Sequence, residues 1–164
     1  MKFRNSPARS SDVAPSHSIR QGPQLVYARE GESGRDERSA AATRVLIVED
    51  DFLVASEAEV ALIEAGFEVA AVVASAEDAI AAASKQRPDI AIVDIRLAGK
   101  GDGIDAAIAL FQDYGVPCIF ATAHSDAYAR SRAEPAQPLG WLQKPYSMPS
   151  LVRLVRDAMD KGAR

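Results

Sequence analysis

From residue 44 onward the sequence alternates short apolar runs with stretches of helical length, and this order limits the fold more than any other feature. "RVLIVE" (44–49) reads as a first strand. It is followed by "DFLVASEAEVALIEAGF" (51–67), where Val54, Ala58, Ala61, Leu62 and Ala65 recur at helical spacing, Asp51 is placed to cap the start and Gly66 to end the helix. "EVAAVVAS" (68–75) is a second strand, and the alanine-rich "AEDAIAAASKQR" (76–87) a second helix stopped by Pro88. "DIAIVDI" (89–95) is the third strand, the glycine-rich "RLAGKGDG" (96–103) a loop, and Ile104, Ile108 and Phe111 mark a third helix. "VPCIFATA" (116–123) is the fourth strand. Pro135 and Pro138 leave room for only a short fourth helix in "SDAYARSRAEPAQPLG" (125–140). "WLQK" (141–144) is a fifth strand, and "MPSLVRLVRDAMDKG" (148–162) a fifth helix with Pro149 in its first turn and Leu151, Leu154, Val155 and Ala158 on one face.

Five strands alternating with five helices, the strands apolar on both faces, predict a parallel sheet covered on both sides and joined by right-handed crossovers. About 120 residues suffice for one such domain. Residues 1–43 differ in texture. They are rich in Ser, Arg, Gly, Pro, Glu and Ala, and their one apolar patch, "LVYA" (25–28), is too small for a core. The expected organisation is therefore a disordered or weakly ordered tail over 1–43 and a folded domain over 44–164.

Charge and cysteine content exclude several classes. The tail has seven basic and five acidic side chains, whereas 44–164 have twelve basic and eighteen acidic, a net of −6. An acidic fold lacks the basic stripe that binding to a phosphate backbone requires, so no nucleic-acid partner is expected. A single cysteine, Cys118, inside an apolar run excludes an internal disulfide and reads as a small core residue. No uncharged apolar run approaches the roughly 20 residues of a membrane span. A cytoplasmic protein with no membrane partner is the expectation.

In open sheets of this kind ligands bind at the carboxyl ends of the strands. Those ends carry Glu49 and Asp50, Asp94, Thr122 and Ala123, and Lys144. Three converging carboxylates repel one another unless a cation neutralises them, and an all-oxygen donor set without Cys or His selects a hard ion, Mg²⁺ (or Mn²⁺) before Zn²⁺. Asp51 is read as a helix cap. His124 follows in the loop after Ala123, where a solvated role is favoured.

"VLIVEDD", "AIVDIRL", "FATAH" and "LQKPY", in this order and spacing, resemble the receiver domain of two-component response regulators over about residues 44–164. The resemblance implies a flavodoxin-like α/β fold, a doubly wound five-stranded parallel sheet in strand order 2-1-3-4-5 with five flanking helices. It implies that Asp94 accepts a phosphoryl group from a phosphohistidine of a sensor histidine kinase or phosphotransfer protein. Asp50, Asp94 and the backbone carbonyl of Arg96 would ligate Mg²⁺, with Glu49 acting through water. Lys144 would pair with the phosphoryl oxygens and Thr122 would hydrogen-bond to them, with Ala123 beside it. In the family an aromatic residue on the fifth strand then turns inward. Its place here is taken by Trp141, whose bulk puts that movement in question. The Lys144–Pro145 bond is expected to be cis.

Because no residues follow 164, a stand-alone regulator acting by protein contact is expected, as a monomer or a phosphorylation-dependent dimer. The contact surface implied is helix four, strand five and helix five, with Tyr128, Trp141, Tyr146, Val152 and Arg156 as candidates. "IFATAHSD" also resembles the Phe-Ala-Thr-Gly motif of a group of single-domain receivers, with Ala123 in place of the glycine. A phosphate shuttle or sink for a kinase is the alternative. An Mg²⁺-dependent aspartyl-phosphate hydrolase is disfavoured because Arg96 stands where its second acid would be. Beyond self-catalysed phosphorylation and dephosphorylation, no enzyme activity is expected. A flavodoxin-type cofactor site is disfavoured by acids where an FMN phosphate would need donors.

Overall fold

A computed structural model describes residues 42–162 apart from 98, 100 and 124. The expectations for the tail up to residue 41 and for His124 lie outside the described residues. In chain order the elements are β1 (Arg44–Val48), α1 (Phe52–Glu64), β2 (Glu68–Val73), α2 (Ala76–Lys85), β3 (Ile90–Val93), α3 (Gly103–Tyr114), β4 (Cys118–Thr122), α4 (Ala127–Ala133), a 3-10 turn (Glu134–Ala136), β5 (Gly140–Gln143) and α5 (Met148–Gly162).

All four strand pairings are parallel, and the sheet order is β2-β1-β3-β4-β5, as expected. Alternation along β1 builds the two layers. Leu46 and Val48 face a core shared with Ala79, Ala83, Ile104 and Leu110, while Val45 and Ile47 face one shared with Ala55, Leu62, Leu151 and Val155. Period-two side-chain direction thus lets one strand feed both layers.

Local chemistry sets the ends of the helices. Asp51 accepts from the N–H groups of Leu53 and Val54, Ser75 from Asp78, Asp102 from Asp105 and Asp126 from Ala129. Gly66 and Gly115 take φ values of +91° and +63°, which side-chain-bearing residues rarely adopt. Pro135 falls within the 3-10 turn after the seven-residue α4, and Gln137 closes it at φ +46°.

The expected spacing in the first helix is shifted slightly. Ala55, Ala58 and Leu62 are the buried positions, while Val54 and Ala61 are half-buried and Ala65 is the C-cap. On the opposite side Phe52, Leu53, Val60 and Ile63 are exposed. No described helix is long and apolar enough to cross a membrane.

Cys118 lies in β4 with no exposed surface, and burial pushes its thiol up to about 12. Since the thiolate is the reactive form, native protein at mildly alkaline pH should leave Cys118 unlabelled by a thiol reagent that labels it fully after denaturation. Rapid labelling of the native protein would contradict its placement in the core.

Candidate functional site

The strand-end residues are positioned by the last hydrogen bonds of the sheet. Glu49 N–H donates to Val73 O at 2.9 Å, Asp94 N–H to Val48 O at 2.9 Å, and Lys144 N–H to Thr122 O at 3.0 Å. Each functional side chain therefore stands one residue beyond its strand, where the ladder still fixes the backbone but the chain is leaving the sheet. This differs a little from the expected strands, which included Glu49, Asp94 and Lys144. The Lys144–Pro145 bond is cis.

Lys144 joins the cluster. Its Nζ donates to Glu49 Oε2 at 2.6 Å and to Asp94 Oδ2 at 2.7 Å, and both carboxylates are buried, at 6% and 9% relative exposure. Glu49 is also held by the Asp51 N–H, 3.3 Å from Oε1. Burial, only partly offset by the bonds from Lys144, pushes the Glu49 carboxyl above its ordinary range. Burial by itself would depress the Lys144 ammonium, but the bonds to Asp94 and Glu49 outweigh it and hold it above the ordinary value.

Exposed Asp50 adds the third acid. One carboxylate oxygen each from Glu49, Asp50 and Asp94 lie within 4.8 Å of one another. An all-oxygen set of this size suits a hard divalent ion, so these residues could hold Mg²⁺. Protons compete with such a cation at Glu49, and its binding should weaken as pH falls through that raised pKa.

The remaining expected residues fall around this cluster. Arg96 lies two residues past Asp94, and its N–H donates to Asp94 Oδ1 at 3.3 Å. Thr122 is fully buried at the end of β4, followed by exposed Ala123. Trp141 is half-buried on β5, stacked on Phe120 with centroids 4.7 Å apart, and the Arg130 guanidinium lies 4.7 Å from its ring centroid. The indole is thus held between a ring and a cation.

Two neighbouring features escape a reading of the sequence. A Cβ on Gly103 would lie 1.8 Å from the Asp94 carbonyl oxygen, so the start of α3 packs directly on the backbone of Asp94. Glycine at a first helical position was the only available signal. Arg132 of α4 pairs with Asp102, the α3 cap, at 2.6 Å and with Asp105 at 3.2 Å. Burial alone would raise the Asp102 carboxyl, but hydrogen bonds from Arg132 and the Asp105 N–H hold it below its ordinary range.

Comparison with known proteins agrees with this geometry. The family described as "Response regulator receiver domain" matches residues 45–156. The chain is 30% identical over 126 residues to the transcriptional regulatory protein PdtaR of Mycobacterium tuberculosis, covering 77% of this chain and 61% of that protein. It is likewise 30% identical over 129 residues to the phyllosphere-induced regulator PhyR of Methylorubrum extorquens, covering 78% and 48%. It thus spans about half to three-fifths of the length of these relatives. Among solved structures, the signal receiver domain of a modulated diguanylate cyclase from Desulfovibrio desulfuricans G20 superposes with a TM-score of 0.69 at 37% identity, over 74% of this chain and 96% of that one. The Vibrio cholerae chemotaxis protein CheY4 gives 0.67 at 25%, over 72% and 99%.

Lys144 Nζ bonds two of the three carboxylates that could hold a divalent cation, so the two cations compete for their charge. Lys144→Met should therefore tighten Mg²⁺ binding at least about fivefold, corresponding to about 1 kcal/mol of relieved competition. Titration calorimetry measures this, and weaker binding in the variant would contradict the competition.

Proposed function

The chain belongs to the response regulator receiver family, and from that membership we propose that Asp94 accepts a phosphoryl group from a phosphohistidine of a sensor kinase or phosphotransfer protein. The observation that carries this reading is the meeting of Asp94 with Lys144, Glu49 and Asp50 at neighbouring strand ends. A carboxylate is an adequate nucleophile for a phosphoryl group whose charge is neutralised from outside, because such transfer asks mainly for positioning and electrostatics.

In the proposed step an Asp94 carboxylate oxygen forms the new P–O bond as the donor's P–N bond breaks, and the imidazole leaves with that electron pair. Lys144, already on Asp94 Oδ2, faces the arriving oxygens. The Arg96 N–H fixes the orientation of the Asp94 carboxylate through Oδ1. Asp50, Asp94 and the backbone carbonyl of Arg96 would hold Mg²⁺, with Glu49 acting through water, and the ion would supply positive charge that screens the carboxylates from the phosphoryl oxygens.

The output we propose is contact with another protein through α4, β5 and α5, after Thr122 hydrogen-bonds the phosphoryl oxygens. Tyr128, 73% exposed on α4, and the Arg130–Trp141 pair that joins α4 to β5 support that surface. Exposed Phe52, Leu53, Val60 and Ile63 on α1 support a protein as the phosphodonor too. A shuttle or sink role uses the same acceptor chemistry. The hydrolase reading is disfavoured by the basic side chain at Arg96, where a second acid would stand.

Acetyl phosphate with Mg²⁺ should add one phosphoryl group per chain, and Asp94→Asn should remove the labelling. Mass measurement of the intact protein reads both. Labelling of the variant at the wild-type level would sink the assignment.

A further inference from the structure

Beside the carboxylate cluster lies a cleft of about 410 Å³ between α1 and the segment joining β5 to α5. A water occupies about 30 Å³ of liquid, so the space is ample for a small planar ring and several waters. Its walls are apolar, with Val54 of α1 and Met148 at the start of α5, and half-buried Tyr146 adds an aromatic surface. Its lining carries both signs of charge, Lys144, which is bonded to Asp94, and Glu57, exposed on the second turn of α1.

Glu57 and Tyr146 lie close enough to influence each other. The Tyr146 phenol is raised chiefly by burial; the Lys144 charge opposes this, and the charges of Glu49, Asp94 and Glu57 add to it. Among the described residues none bonds to the Glu57 carboxylate, and its position lining the cleft has no part in core packing.

A phosphohistidine also carries both signs of charge: an anionic phosphoryl group joined to an imidazole that is cationic when its second nitrogen is protonated. Resting on the reading of Asp94 as acceptor, we propose that this cleft receives the donor's imidazole ring, with Glu57 accepting a hydrogen bond from the protonated ring nitrogen while the phosphoryl oxygens meet Lys144. A cationic ring also suits the Tyr146 face. Protonation at that nitrogen lets the ring depart as neutral imidazole: the P–N electron pair stays on the ring and the proton stays where it was. Glu57 is then a positioning residue that favours donors whose phosphoryl group is carried on a cationic ring over donors that leave as anions.

Two small donors test this on the full chain. N-phosphorylimidazole leaves as imidazole, whereas acetyl phosphate leaves as acetate. Glu57→Gln should lower the ratio of the two phosphorylation rate constants, imidazole donor over acetyl donor, about fivefold, the effect of one solvent-accessible charge contact. Glu57→Lys should lower it further. Both rates scale with the folded fraction, so the ratio is insensitive to any loss of stability. A ratio unchanged or raised in both variants would overturn the cleft assignment while leaving Asp94 as acceptor. Wild-type protein labelled by neither donor would remove the acceptor reading itself, and the cleft proposal with it.

Discussion

The double contact of the Lys144 ammonium with Glu49 and Asp94 is the interaction on which the rest of the site depends. Two buried acidic residues beside exposed Asp50 repel one another in a poorly solvated place and need a cation among them. Lys144 supplies it at 2.6 and 2.7 Å. The same contact places a cation where the proposed phosphoryl oxygens would arrive, and an ammonium can turn from carboxylate to phosphoryl oxygens at little cost. It also crosses the sheet, joining the ends of β1, β3 and β5.

The sheet is a positioning device for these charges. A parallel register sets β1 against β2 and β3, and β4 against β5, and in each case the bond after the last paired residue holds a functional backbone. Around Asp94 the support continues outward. Gly103 lets α3 begin against the Asp94 carbonyl, Asp102 caps that helix, and Arg132 ties the cap to α4. On α4 another arginine, Arg130, covers Trp141, which itself rests on Phe120. Packed and ion-paired contacts thus connect the Asp94 backbone with α4, a helix of the surface proposed for output.

Much of this was legible in the sequence because its signals are local. The β/α alternation, the acids after apolar runs, the caps at Asp51 and the stop at Gly66 are each decided within a few residues. The long α5 carries a strong apolar stripe, and its bounds agree with the expected 148–162. The first helix was less clear, since α1 is apolar almost all round and spacing does not distinguish Ala55 from Ala61. What could not be read were pairings between distant positions. Arg132 with Asp102, Arg130 with Trp141, and Lys144 with Glu49 are set by how helices and strands are stacked, and no local pattern marks them. The close approach at Gly103 depends on the β3–α3 loop path, which glycine permits but does not announce.

The central claim is that a single carboxylate in this charge-balanced cluster, Asp94, receives the phosphoryl group. Reductive mapping tests it most directly: protein treated with acetyl phosphate and Mg²⁺ is reduced with borohydride, which converts an aspartyl phosphate to homoserine, and its peptides are sequenced by mass spectrometry. The account predicts homoserine at position 94 with Glu49 and Asp50 unaltered. A reduced residue at 49 or 50, with Asp94 intact, would contradict it.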